Sequence, residues 1–156
     1  MSSSSREGIR FEFATAGRIL FGNGRVREAG VLARAELGER ALVVTGETGR
    51  HARPLLDSLA EHGVATEQFA VRGEPTTATV REGCHQARKA ACDCVIGIGG
   101  GSAIDAAKAM AALLTNGGDP LDYLEVVGRG MPLARPAAPW MAIPTPTAVG
   151  KIRAQA

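Results

Sequence analysis

Apolar residues fall into short runs along the chain, and their period changes from run to run. Phe11, Phe13 and Thr15 alternate with smaller or polar residues, a two-residue period that predicts a short strand. Arg18–Phe21 reads as its hairpin partner or a following strand, closed by Gly22-Asn23-Gly24. Val26, Ala29, Leu32 and Ala33 then recur at helical spacing, which predicts a helix over Val26–Leu37 with Gly38 at its C′ position. Ala41–Thr45 is a compact apolar run of the kind found in buried parallel strands, and Gly46-Glu47-Thr48-Gly49 is the turn after it. Arg53–His62 predicts a helix with Pro54 in its first turn, Leu55, Leu56 and Leu59 on one face, and Gly63 at its end.

Val64–Val71 reads as a second strand, followed by a loop at Gly73-Glu74-Pro75-Thr76. Thr77 is the expected N-cap of a helix running to about Ala91. Asp93–Ile98 is a third buried strand and passes directly into Gly99-Gly100-Gly101-Ser102; Ser102–Thr115 is an Ala- and Leu-rich helix. Gly117–Glu125 reads as a turn with a short helical piece, Met131–Pro139 as Pro-rich irregular chain, and Trp140–Ile143 as a last short strand. Strands alternating with helices of about 10–15 residues predict an α/β fold, a Rossmann-like parallel sheet with flanking helices and short strands at the N-terminus. Ligands of such sheets bind at the carboxyl ends of the strands. Two Gly-containing turns stand there, after Thr45 and after Ile98.

Composition narrows the function classes. The 156 residues suit one domain, read as a leader over 1–8, a domain over 9–145 and a tail over 146–156. At 45% hydrophobic the chain can form a core. Eighteen basic residues against sixteen acidic ones, with no long basic run, argue against a nucleic-acid partner. No apolar stretch approaches the roughly 20 residues that span a bilayer, so no membrane partner is expected. The Ser-rich Met1–Arg10 lacks the apolar core of a secretory signal, and three cysteines cannot all pair within the chain. Both features suit a cytoplasmic protein. Twenty glycines with 4% aromatic residues suggest turns and close backbone approaches more than an aromatic stacking platform.

The strongest local signal is the segment from Gly97 to Lys108. A strand enters three consecutive glycines and leaves as a helix whose first N–H groups and partial positive charge can face a phosphate. Ser102 can cap the helix or bind phosphate, and Asp105, one turn in, can face the same ligand. No Lys follows the glycines as in a P-loop, and the GxGxxG spacing is not met after the first strand. His51, His62 and His85 form no short metal-ligand pair: His62 suits a helix C-terminus and His85 a helix face. Cys92 and Cys94 are expected to share one strand face with Ile96 in a packing role, and Asp119 and Asp122 to cap the short helix. No Ser/His/Asp set or nucleophile elbow occurs.

Gly99-Gly100-Gly101-Ser102-Ala103-Ile104-Asp105-Ala106-Ala107-Lys108 resembles the GGGSxxDxAK signature of the iron-dependent (group III) alcohol dehydrogenases. Phe21-Gly22-Asn23-Gly24-Arg25, Gly73-Glu74-Pro75-Thr76, Asn116-Gly117-Gly118-Asp119-Pro120 and Ala142-Ile143-Pro144-Thr145 resemble further family segments in the same order. The likeness covers roughly residues 9–145, and the branch that includes maleylacetate reductases is nearest in flavour. It implies NAD(P) as cofactor and a small alcohol or carbonyl as substrate. Gly99, Gly100, Gly101 and Ser102 would cradle the pyrophosphate, and Asp105 would sit near the nicotinamide end. Pro75 and Thr76 would line the cleft, and Thr145 would contact the cofactor from the opposite wall. Gly46 stands where many NAD-preferring members carry an Asp that binds the adenosine ribose, so NADPH should be tolerated, with NADH not excluded. Arg50 or Arg53 could pair with its 2′-phosphate, although exposed arginines at a helix start are more often simply solvated. Family members often dimerise through their N-terminal strand, which makes Phe11–Thr15 a candidate homodimer element.

The likeness ends abruptly. The family continues past Ile-Pro-Thr with a second Thr and a Gly-rich turn, then a helical domain whose one Asp and three His hold Fe2+ or Zn2+. Here Pro146-Thr147-Ala148-Val149-Gly150-Lys151 follows Thr145, and the three histidines all lie upstream of the glycine motif. The resemblance therefore implies the nucleotide-binding half of a metal-dependent dehydrogenase, truncated by a frameshift, a premature stop or a chain boundary, with no catalytic or metal-binding residue of its own. The alternative is a non-catalytic nucleotide-binding or subunit-interaction module.

Overall fold

A computed structural model describes residues 17–145. Four parallel strands form one sheet: β1 (Arg40–Gly46), β2 (Ala65–Val71), β3 (Cys94–Gly99) and β4 (Trp140–Pro144). Their order across the sheet is β2-β1-β3-β4. The helices are α1 (Ala29–Leu32), α2 (Arg53–Glu61), α3 (Thr77–Lys89), α4 (Gly101–Asn116) and the single turn α5 (Pro120–Tyr123).

The central strands are buried on both sides, which is why they read as unbroken apolar runs. Leu42, Val44 and Val95 face a core built with α3 and α4. Ala41, Val43, Cys94, Ile96 and Ile98 face the opposite core, with Ala29, Leu55 and Leu59 of α1 and α2. At the edge, β2 alternates: Thr66, Gln68 and Ala70 are exposed while Phe69 and Val71 are buried.

Several local expectations are corrected. Phe11–Thr15 lies outside the described residues. Arg18–Phe21 forms no strand: Ile19 and Phe21 are exposed and no ladder partner lies beside them among the described residues. The helix over Val26–Leu37 is helical throughout but changes pitch, from a 3-10 turn at Arg25–Glu28 through α1 to a π-helical stretch at Ala33–Leu37. Gly38 ends it in extended backbone at φ 166°, not in a left-handed C′ conformation. Its small size matters because a Cβ there would lie 2.2 Å from an Asp93 carboxylate oxygen.

Thr76, not Thr77, caps α3: its hydroxyl accepts from the Thr79 N–H at 3.1 Å, and Thr79 returns the bond to the Thr76 N–H. Gly100, not Ser102, is the N-cap of α4, and no side chain caps that terminus. Cys92 does not join Cys94 and Ile96. The chain turns at Ala91 (φ 53°), Cys92 N–H bonds back to Ala87 at the end of α3, and strand pairing begins only at Cys94. Cys92 consequently packs into the α3–α4 core and Cys94 into the other one. Asp119 caps α5 in a reciprocal box with Asp122, as the spacing predicts.

Candidate nucleotide site

From β1 the chain crosses to β2 on one side, then returns past β1 to place β3 on the other. Such a reversal leaves a crevice between the carboxyl ends of β1 and β3, because the following segments diverge to opposite faces. That crevice exists here. Gly46, Arg50 and His51 line it from the β1 side, Gly99 and Gly100 from the β3 side, and Thr145 from the end of β4.

Each wall has a local cause. After β1, Gly49 N–H donates to Gly46 O at 3.0 Å and Ala52 N–H donates to Gly49 O at 2.9 Å, folding the chain back towards α2. Gly99 holds φ +148°, where an L side chain is strained, and a Cβ would also meet Ala103 at 3.1 Å and the Gly46 nitrogen at 3.3 Å. Thr145 is buried, and its N–H donates to Gly99 O at 3.0 Å, tying the end of β4 to the glycine turn. The next two glycines differ. A Cβ on Gly100 or on Gly101 would meet nothing within 4 Å, so packing of the described residues does not require glycine at either position.

The α4 terminus lies beside this space. Its first intrahelical bond runs from Ile104 N–H to Gly100 O at 3.1 Å. The N–H groups ahead of Ile104 are those a helix start leaves without intrahelical acceptors. At α3 and α5 a side chain caps the corresponding groups; at α4 none does. Uncapped N–H groups, the positive end of the helix dipole and room beside two glycines together suit a phosphate.

The family model for iron-containing alcohol dehydrogenases matches residues 16–151. This chain belongs to the iron-containing alcohol dehydrogenase family. It is 32% identical over 147 residues to the mitochondrial hydroxyacid-oxoacid transhydrogenase of Bos taurus, covering 90% of this chain and 31% of that protein. A crystal structure of a 1,3-propanediol oxidoreductase superposes with a TM-score of 0.80 at 27% identity, covering 88% of this chain and 36% of the other. A sulfoacetaldehyde reductase from Bifidobacterium kashiwanohense, solved in complex with NAD+, superposes with a TM-score of 0.72 at 26% identity over the same shares. The chain thus spans about a third of the length of these relatives.

Within this family member the expected site residues divide into three sets. Gly46, Gly99, Gly100 and Thr145 meet in the crevice. Gly101 and Ser102 occupy the first turn of α4 beside it, and Asp105 is exposed one turn further on. Pro75 and Thr76 stand at the same end of the sheet, between β2 and α3, outside the crevice itself; the Thr76 hydroxyl is engaged as a cap. Thr45, Thr48, His51, Ala52 and Ile98 also line the crevice. Sequence reading assigned them no role, although the turn after the first strand was the available signal.

No group of three or more His, Cys, Asp or Glu side chains able to hold a metal occurs among the described residues. His62 closes α2, with its Nδ1 2.8 Å from Ser58 O; His85 lies exposed on α3; His51 accepts from Arg50. The described residues do not fit the iron of the family. No described helix is long and apolar enough to cross a membrane.

Proposed function

We propose that this chain binds a nicotinamide dinucleotide at the β1–β3 crevice, as the cofactor-binding part of an enzyme that moves a hydride between that cofactor and a small alcohol or carbonyl. One observation carries the reading: the uncapped start of α4 opens beside Gly100 and Gly101, where a Cβ would meet nothing within 4 Å. The bound cofactor supplies the hydride chemistry, and the protein supplies position and electrostatics.

In this reading Gly99, Gly100, Gly101 and Ser102 hold the pyrophosphate through backbone N–H groups and the α4 terminus. Asp105 stands towards the nicotinamide end, Pro75 and Thr76 flank the cleft beside β2, and Thr145 contacts the cofactor from the end of β4, beside Gly99 and not across from the glycines. Gly46 places no side chain at the ribose end, and its Cβ position is open, so NADPH is accommodated as well as NADH. In this reading the enzyme is a cytoplasmic homodimer whose Fe2+ or Zn2+ is not held by the described residues, among which no metal-ligand group occurs, and the chain by itself is expected not to turn over. Titrating the chain with NADH and NADPH, read by cofactor fluorescence with light scattering alongside, tests this. Saturable binding by a monodisperse species is expected; its absence sinks the reading.

A second reading, a subunit-interaction module, is favoured by exposed Phe21 (95%), Val126 (95%) and Val127 (74%). Concentration-dependent association without nucleotide binding is its signature in the same experiment.

A further inference from the structure

The chain contains two asparagines, Asn23 and Asn116, and each is followed by a glycine. An Asn-Gly pair lets the following backbone nitrogen reach the side-chain amide easily, because glycine carries no Cβ to crowd the approach. The fold treats the two pairs in opposite ways. Asn23 and Gly24 are both exposed in the turn ahead of the helical run Arg25–Leu37. Neither the Asn23 amide nor the Gly24 N–H makes a hydrogen bond among the described residues. Gly24 stands at φ +75° with nothing within 4 Å of its Cβ position, so the space around it is open. Asn116, in contrast, is held at both ends of its amide. Its Nδ2 donates to Ala112 O and to Arg135 O, both at 2.9 Å, and its Oδ1 accepts from the Arg135 N–H at 2.8 Å. The Gly117 N–H donates to Leu113 O at 2.8 Å, which commits that nitrogen to the end of α4.

We propose that Asn23 is a site of spontaneous covalent modification, deamidating through attack by the Gly24 nitrogen, while the fold protects Asn116. The Gly24 nitrogen bonds to Cγ of Asn23 and the Cγ–Nδ2 bond breaks. Nδ2 leaves as ammonia, taking the proton that the Gly24 nitrogen gives up. Water, the one co-reactant, then opens the resulting succinimide at either carbonyl and leaves aspartate or isoaspartate at position 23. Each product replaces a neutral amide by a carboxylate and lowers the formal net charge of +2 by one. Isoaspartate also adds a carbon to the main chain where it enters the helical run. At Asn116 the same reaction must first break the Gly117–Leu113 bond and the bonds that hold the amide, which slows it about 10–100-fold.

The test is incubation of the full chain in mildly alkaline buffer, with and without urea, followed by brief acidic digestion and peptide mapping by mass spectrometry. Isoaspartate is read in parallel by methylation of its free carboxyl with an isoaspartyl O-methyltransferase. In the native chain the peptide containing Asn23 gains the acid form and the methyl-acceptor signal at least about ten-fold faster than the peptide containing Asn116. In urea the two rates converge, because the bonds around Asn116 are gone. Asn23→Ser, a change in an exposed turn, abolishes the native signal. Equal rates at the two sites in the native chain, or no change at Asn23, overturn the proposal. A ratio that is the same with and without urea overturns it too, because the difference then belongs to local sequence and not to the fold.

Discussion

A methyl group on Gly97 would lie 2.7 Å from the Cβ of Ala107, so β3 and α4 pack more closely than two side chains allow. Both positions belong to rigid elements, and relief requires the helix to move. Gly97→Ala is therefore expected to destabilise the fold by about 1–3 kcal/mol, the usual range for overpacking a tight core. Ala107→Gly removes the opposing methyl at about 1 kcal/mol of its own, the cost of glycine in a helix. Combined, the two should cost less than their sum, with a coupling of about 0.5–3 kcal/mol. Urea denaturation of the four chains measures it, and strict additivity rules out the contact as the cause.

Gly100 and Gly101 should behave in the opposite way. Gly100 sits at φ −78°, compatible with alanine, and neither Cβ position is contested within 4 Å. Substituting either by Ala should leave stability unchanged or raise it by about 0.4–1 kcal/mol through the unfolded chain. The added methyl occupies the space assigned to the pyrophosphate, so affinity for NADH and NADPH should fall at least about ten-fold. Thermal melting and cofactor titration on the same samples check both halves. An Ala variant that binds normally removes the argument for that space as the phosphate cradle.

The contrast among Gly97, Gly99, Gly100 and Gly101 marks what the sequence could and could not disclose. The motif identified all three consecutive glycines as a unit, and the apolar runs at Ala41–Thr45 and Asp93–Ile98 identified the two strands that bound the crevice. Which glycine serves packing, which serves backbone conformation and which leaves room depends on distances across the sheet. Arg50 and Arg53 were equivalent in sequence, each an exposed arginine near a helix start. They separate only when Arg53 is seen to pair with Asp57 while Arg50 turns into the crevice. Cys92 went astray for a related reason. Alternation holds along a strand, and Cys92 lies ahead of it, behind the left-handed turn at Ala91. Arg18–Phe21, which has no ladder partner among the described residues, shows the limit of local pattern, because a strand needs a partner that no short window reveals.

The three thiols should report global unfolding. Burial pushes the Cys94 thiol up to about 12 and the Cys92 thiol up to about 11, with the negative charge of Asp93 adding to the first and Glu67 and Asp93 to the second. Burial also raises Cys84. All three are free cysteines held inside the two cores. Alkylation at about pH 8, near the ordinary cysteine pKa, should therefore leave the folded chain unlabelled while denatured chain reacts at all three positions. Mass spectrometry along a urea gradient should show labelling that follows the unfolding transition. Rapid labelling of any cysteine in folded protein contradicts the assignment.

Asp93 sets a pH dependence of stability with a definite sign. Desolvation pushes its carboxyl up, but the N–H groups of Glu39 and Arg40, at 2.9 and 3.0 Å, together with the Cys94 thiol outweigh that effect and hold it below the usual carboxylate range. These bonds join the start of β1 and the residue before it to the loop before β3, and Gly38 gives the carboxylate room to approach. A carboxylate whose folded pKa is depressed contributes stability above its unfolded value of about 3.9, and that contribution disappears as the pH falls through the folded pKa. Asp93→Ala should cost about 1 kcal/mol at pH 7, a charged hydrogen-bond value reduced for solvent exposure. The gap between parent and variant should then narrow progressively below about pH 4, where the carboxylate takes up its proton. Denaturation at pH 7, 5 and 3 measures the gap, and a gap that stays constant across that range would show that Asp93 acts through packing and not through its charge.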